Sequence, residues 1–259
     1  MTVFGLWCSK PSFADVQLAA DLGFTRLDCM VNDLSKQRSP TPFKLDWSPD
    51  AYRNVVAHAL HVCGIEEVHF TAWAMPHAVY MSYAGDALQQ LCIDAGAHGI
   101  VLDAEEPWTL ASKPDYGGAA AAFYQEAKGC RVGITGIGYC NTDKLGPLMA
   151  SADYGIPQAY VVRKRKVDVL THAGIPKVIA HWRKFGKPLH IGLAAYAQSG
   201  IPGHTTKSAM RATFAAVQDE CEGVSYWSLR QLKGNTLVRE TLRRLMEESK
   251  SKQAKEGAA

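Results

Sequence analysis

Eight short, strongly apolar runs are spaced along the chain, and each is followed by a segment with helical spacing. The runs are Val3–Cys8, Thr25–Val31, Glu67–Trp73, Gly99–Ala104, Arg131–Ile137, Tyr154–Val162, Pro188–Tyr196 and Gly223–Leu229. Several, such as GIVLDA and RVGITGI, are nearly all apolar, the pattern of parallel strands covered on both faces. The intervening segments carry helix punctuation. Ser12 is placed to cap a helix containing Val16, Leu18, Ala19 and Leu22 that stops at Gly23. Ser48 with Pro49 is a cap plus a first-turn proline, and Gly64 closes that helix. Similar patterns span Gly85–Ala97, Asp115–Lys128, Thr142–Ala152, Pro176–Phe185, Thr205–Glu220 and Thr236–Glu248.

Regular alternation of strand and helix implies a parallel sheet, and eight units are the number that closes a barrel. The length of 259 residues matches the roughly 250 that one such domain needs. The competing architecture is an open doubly wound sheet, which would carry G-x-G-x-x-G after its first strand. Residues 5–13 (GLWCSKPSF) lack it, and the glycines of 133–138 have the wrong spacing. The expected fold is therefore α/β, a single-domain (β/α)8 TIM barrel over residues 1–248. Residues 249–259, polar and without apolar period, are expected to form a disordered tail.

Composition narrows the function classes. An apolar share of 47% excludes disorder over most of the chain, and a net charge of only +3 gives no reason to expect a nucleic-acid partner. No stretch reaches the roughly 18 apolar residues of a membrane span. The seven cysteines stand singly with no C-x-x-C, so they read as small buried hydrophobes of a reducing compartment. The amino terminus lacks a basic region followed by an apolar one, so synthesis in the cytoplasm without a signal peptide is expected.

In a barrel of this type the chemistry sits at the carboxyl ends of the strands. The fourth end is the richest: Asp103 and Glu105 share a face with Val101, while Ala104 and Glu106 share the other. Two carboxyls about 6–7 Å apart along a strand perturb each other, so one can stay ionised while the other holds a proton. Glu105, nearer the mouth, is expected to be the general acid, and Asp103 the anion that tunes it or orients substrate. The alternative is a structural pair serving a nearby Lys or Arg.

Aromatic residues concentrate at the same end. Trp7, Trp73, Trp108, Trp227, Tyr139, Tyr160 and Tyr196 fall at or just past predicted strand ends. Indole and phenol rings offer an apolar face and a polar edge, which suits a sugar, although some must simply close the core.

These strand ends resemble those of barrel glycoside hydrolases that cleave N-acetylated amino sugars. Asp103-Ala104-Glu105 looks like the acidic motif of family 25 lysozymes, and the longer motif of family 18 chitinases ends the same way. Gln158-Ala159-Tyr160 and Trp227 are similar to positions such families use around the acetamido group and the sugar floor. Two departures are plain. The first strand has no Asp, and Gly99 and Val101 replace the upstream acids of the family 18 motif. The resemblance implies hydrolysis of a β-linked N-acetyl amino-sugar polymer, peptidoglycan foremost, with no cofactor. Asp28 and Asp33 are candidate bases for an inverting route, and Trp73, Trp108 and Tyr196 are candidate substrate contacts. A third route uses the substrate's own acetamido oxygen as nucleophile. If the reading holds, a wall-acting enzyme without a signal peptide needs another means of release or delivery.

Three long segments, Asn32–Trp47, Ala74–Ala84 and Pro107–Pro114, are expected to wall a groove for a polymer, or else to be insertions without contact to it. The basic run Arg163–Lys166 is either a solvated face or a patch for an anionic polymer. Two rival classes stay open. One is a metal-dependent barrel hydrolase or isomerase using His69, Glu105 and His190, and the other is a barrel that only binds glycan or a protein partner.

Overall fold

The parallel sheet closes on itself because its first strand is flanked by its second and its last. β1 (Val3–Ser9) pairs with β2 (Arg26–Met30) and with β8 (Gly223–Trp227). Between them run β3 (Glu67–Trp73), β4 (Gly99–Asp103), β5 (Arg131–Ile137), β6 (Tyr154–Gln158) and β7 (His190–Ala194), each beside its sequence neighbours. This computed structural model describes residues 3–32, 43–109, 111, 113–138, 140–160, 174–195 and 205–257. The architecture is the expected (β/α)8 TIM barrel.

The helices, in chain order, are α1 (Phe13–Asp21), α2 (Pro49–His61), α3 (Ala78–Ala95), α4 (Glu106–Thr109), α5 (Tyr116–Glu126), α6 (Thr142–Ser151), α7 (Gly174–Trp182), α8 (Thr206–Ala215), α9 (Leu229–Lys233) and α10 (Thr236–Glu256). Their starts follow the caps. Ser12 accepts from the Asp15 amide while the Asp15 carboxylate accepts from the Ser12 amide, a complete capping box, and Ser48 caps α2 ahead of Pro49.

Period two along each strand divides the side chains between two cores. Outward residues such as Leu6, Phe70, Ile100, Leu102 and Ile191 join the helices in the main apolar core. Inward residues fill the barrel in three levels. At the amino-terminal end lies an ionic layer of Arg26, Asp28, His69, Tyr154, His190 and Ser225. Above it is an apolar band of Trp7, Met30, Val101 and Ile156, against which Trp73 and Trp227 pack. At the carboxyl-terminal mouth stand the acids of β4. Two inward glycines make room for this filling. A Cβ on Gly5 would meet Ser225 Oγ at 2.5 Å, and one on Gly133 would meet the Tyr154 ring at 2.3 Å.

Two sequence expectations are corrected. Ala74–Ala84 is mostly not a loop, because α3 begins at Ala78, seven residues before Gly85. Tyr80, Met81, Ala84, Leu88 and Leu91 form one buried helical stripe, and Gly85 lies mid-helix because α5 packs there. A Cβ on Gly85 would sit 2.7 Å from the Phe123 carbonyl oxygen. Likewise, residues 249–256 are not a disordered tail but the last turns of α10. They are rich in good helix formers and tied down at several points. Ser249 is buried, Lys250 Nζ donates to the Gly23 carbonyl at 3.3 Å, and Lys252 pairs with Asp219 at 2.8 Å.

All seven cysteines are free thiols, four of them buried. No helix among the described residues is long and apolar enough to cross a membrane.

Candidate active site

β4 alternates its residues so that Leu102 and Ala104 enter the outer core while Val101 and Asp103 face the barrel axis. Past the strand end, Glu105 continues the inward face. The two acids line a cavity of about 460 Å³ at the carboxyl-terminal mouth, together with Trp73, Ile137, Gln158, Tyr160 and Trp227. That volume lies within the range of small-ligand sites, and the position is where barrel enzymes keep their chemistry.

Asp103 is only 2% exposed. Gln158 Nε2 donates to its Oδ1 at 3.3 Å and to Thr135 Oγ1 at the same distance, while Thr135 donates onward to the Ile156 carbonyl at 2.8 Å. The Thr135 hydroxyl thereby fixes which end of the Gln158 amide faces the acid. Burial, and after it the neighbouring charge of Glu105, push the Asp103 carboxyl well above the usual carboxylate range, with Gln158 only partly opposing them. A carboxyl shielded from water beside a second acid favours its protonated form.

The aromatic walls are held from behind. Asn32, itself buried, accepts from the Trp73 amide at 3.0 Å and donates to Tyr80 Oη at 2.9 Å, locking the end of β3. Trp7 lies under Trp227 with ring centroids 5.6 Å apart. The peptide between Trp227 and Ser228 is cis.

Six of the ten residues singled out in the sequence therefore converge on one cavity: Asp103, Glu105, Trp73, Gln158, Tyr160 and Trp227. Two do not. Asp28 lies below the apolar band, fully buried, with Arg26 Nε 3.1 Å from Oδ1, and Arg26 Nη2 and Ser225 Oγ each donating to Oδ2 at 3.2 Å. It is spent neutralising Arg26 and is out of reach of a ligand. Trp108 is also fully buried, because α4 turns it into the outer core against Tyr116, where its Nε1 donates to the Lys144 carbonyl at 2.9 Å. Asp33, Tyr196, Tyr139 and Arg163–Lys166 lie outside the described residues.

The proposed metal set is not brought together. His190 Nδ1 lies 2.7 Å from Arg26 Nη1, and His69 Nδ1 lies 2.7 Å from Tyr154 Oη, both in the ionic layer below the apolar band that underlies Glu105. No group of three metal-binding side chains occurs among the described residues. Sequence reading missed Ile137, Thr135 and Asn32. Thr135 and Ile137 were legible in principle, being on the inward face at the end of β5. Asn32 follows the end of β2 and carried no pattern of its own.

Fold and site define an α/β barrel with an acidic, aromatic-walled cleft at its carboxyl-terminal mouth. No protein-family model matches the chain, and no curated protein matches it in sequence. Solved structures do. The endoglucanase Cel5A of Pseudomonas stutzeri superposes with a TM-score of 0.68 at 12% identity over 94% of each chain. The family 18 chitinase ChiB of Flavobacterium johnsoniae gives 0.57 at 12% identity, covering 94% of this chain and 93% of its own. A fungal β-1,4-galactanase gives 0.60 at 12% identity, over 88% and 89%. At such identities the likeness shows the shared barrel.

Proposed function

We propose that the protein is a glycoside hydrolase acting on a β-linked polymer of N-acetylated amino sugars, with peptidoglycan as the leading substrate and a lysozyme-like activity. The observation that carries this reading is the Asp103–Glu105 pair, set in a cavity walled by Trp73, Tyr160 and Trp227, with burial and Glu105 raising the Asp103 carboxyl. Support comes also from the barrel neighbours, which include an endoglucanase, a chitinase and a galactanase. The Asp-x-Glu at the fourth strand end and Gln158 with Tyr160 on the sixth favour an acetamido-bearing sugar.

In this mechanism the pair works as one titrating unit carrying one proton. The proton rests on Asp103 and passes to Glu105 as substrate covers the site. Glu105, nearer the mouth, then protonates the departing glycosidic oxygen while the acetamido oxygen attacks the anomeric carbon and the C–O bond breaks. Asp103, now ionised, accepts the acetamido N–H and keeps that group oriented. Water opens the cyclic intermediate in the second half, and its proton returns to the pair. Trp227 and Trp73 give the sugar its apolar faces.

Glu105→Gln is expected to lower kcat by about 10²–10⁴-fold while leaving folding intact. Mass analysis of products from purified peptidoglycan and from chitin oligomers checks activity, bond and stereochemistry together. Binding without cleavage by the unaltered protein would replace this reading with that of a glycan-binding barrel.

A further inference from the structure

A second cavity, of about 600 Å³, also has Trp227 in its lining and so adjoins the acidic one. Its lining differs in sign. Lys10, Arg230 and Lys233 face it with Asp15 as the only carboxylate among the described residues, whereas Asp103 and Glu105 are the charged described groups of the first. Lys233 is committed, since its Nζ pairs with Asp15 at 2.7 Å. Lys10 and Arg230 have no ion-pair partner among the described residues, and both are exposed. Lys10 is also one of two non-glycine residues held at positive φ among the described residues, here +47°, a conformation that side chains rarely adopt without a local reason.

We infer that this second lobe is an anion-accepting subsite, and that the glycan it takes carries a carboxylate on the sugar next to the cleaved bond. The inference rests on the glycosidase reading above and narrows it. A polymer lying across Trp227 has one ring over the acids and the adjoining ring over the second lobe. A neutral N-acetylglucosamine chain has nothing to offer two unpaired cations there. A chain with an O-lactyl carboxylate on alternate amino sugars places an anion within their reach, and a carboxylate accepts from both Lys and Arg. The charge arrangement also sets direction, since an acidic substituent over Asp103 and Glu105 would be repelled while the same group one sugar away is attracted.

The test uses two glycan oligomers of equal length, one neutral and one with alternating lactyl carboxylates, both free of peptide. Affinity is measured by calorimetry on the Glu105→Gln protein, and hydrolysis on the unaltered one. The expected result is a preference for the acidic oligomer that falls about tenfold in Lys10→Gln/Arg230→Gln and weakens with added salt. Methyl esterification of the carboxylates should remove the same preference in the parent protein. Equal affinity for the two oligomers, or a preference that survives the double substitution, overturns the subsite. Charge-selective binding with no hydrolysis of either oligomer sinks the glycosidase reading and leaves the subsite standing. Hydrolysis of both without selectivity does the reverse.

Discussion

Asp28 and Asp103 are two carboxyls inside the same barrel, at 0% and 2% exposure, on inward faces two strands apart. Their surroundings could hardly differ more. Asp28 has a guanidinium at 3.1 Å and a hydroxyl at 3.2 Å, in a layer where Arg26 also donates to His190 and Ser225. Asp103 has one amide at 3.3 Å and a second acid for a neighbour. Burial disfavours charge at both places, yet among the described residues only Asp28 has a cation supplied to offset it. The lower carboxyl is structural and the upper one is available for proton transfer. Within one fold, depth alone does not make an acid; the lack of a counter-ion does.

That contrast can be broken most forcefully from below. Arg26→Met should cost about 3–5 kcal/mol in chemical denaturation, because it strands Asp28 as an uncompensated buried charge. A cost under about 1 kcal/mol would mean that Asp28 does not depend on Arg26 for its place in the barrel, and the distinction would vanish.

Asp103→Asn tests the upper half through pH. The folded carboxyl ionises well above its unfolded value of about 3.9, so the folded state binds more protons across that interval. Its contribution to stability is fully present below about pH 3.9 and declines as pH rises toward the folded pKa, by about 1.4 kcal/mol per unit. Asn should flatten that decline in urea titrations taken at stepped pH. His190 in the lower layer acts in the opposite sense. Burial, with Arg26 and Arg131 adding to it, holds its pKa down to about 2, so its contribution is present above about pH 6.5 and lost as pH falls. An unchanged pH slope in Asp103→Asn would place the retained proton elsewhere.

The smallest effect belongs to Gln158→Leu. Loss of its donated hydrogen bond removes a group that favours ionised Asp103, so the carboxyl rises further. The alkaline limb of the activity profile should then move up by about one pH unit or less. Movement toward acid would contradict the role given to that amide.

Much of this is readable in the sequence itself. β3 and β5 keep the boundaries expected from their apolar runs, since Glu67, Trp73, Arg131 and Ile137 are polar or mouth-facing ends of buried stretches. The inward face of β4 followed from period two alone. What escaped had physical reasons. Trp108 was misplaced because α4 starts immediately after Glu105 and resets the alternation of faces. Asp28 is a candidate base in the sequence because the resemblance leaves the second catalytic partner open, though Arg26 two positions earlier on the same face is the clue to its pairing. Gly85 read as a helix boundary when it marks a close approach between helices, which no single-chain pattern reveals.

The band of Trp7, Met30, Val101 and Ile156 has a consequence for how such a barrel can change. It acts as an insulator between two electrical circuits. After burial, the described groups that move the Asp103 carboxyl are Glu105 and Gln158, both at the mouth. Alterations at the mouth and in the lower layer should therefore add independently, leaving the cleft open to new substrates without rewiring what keeps the barrel shut.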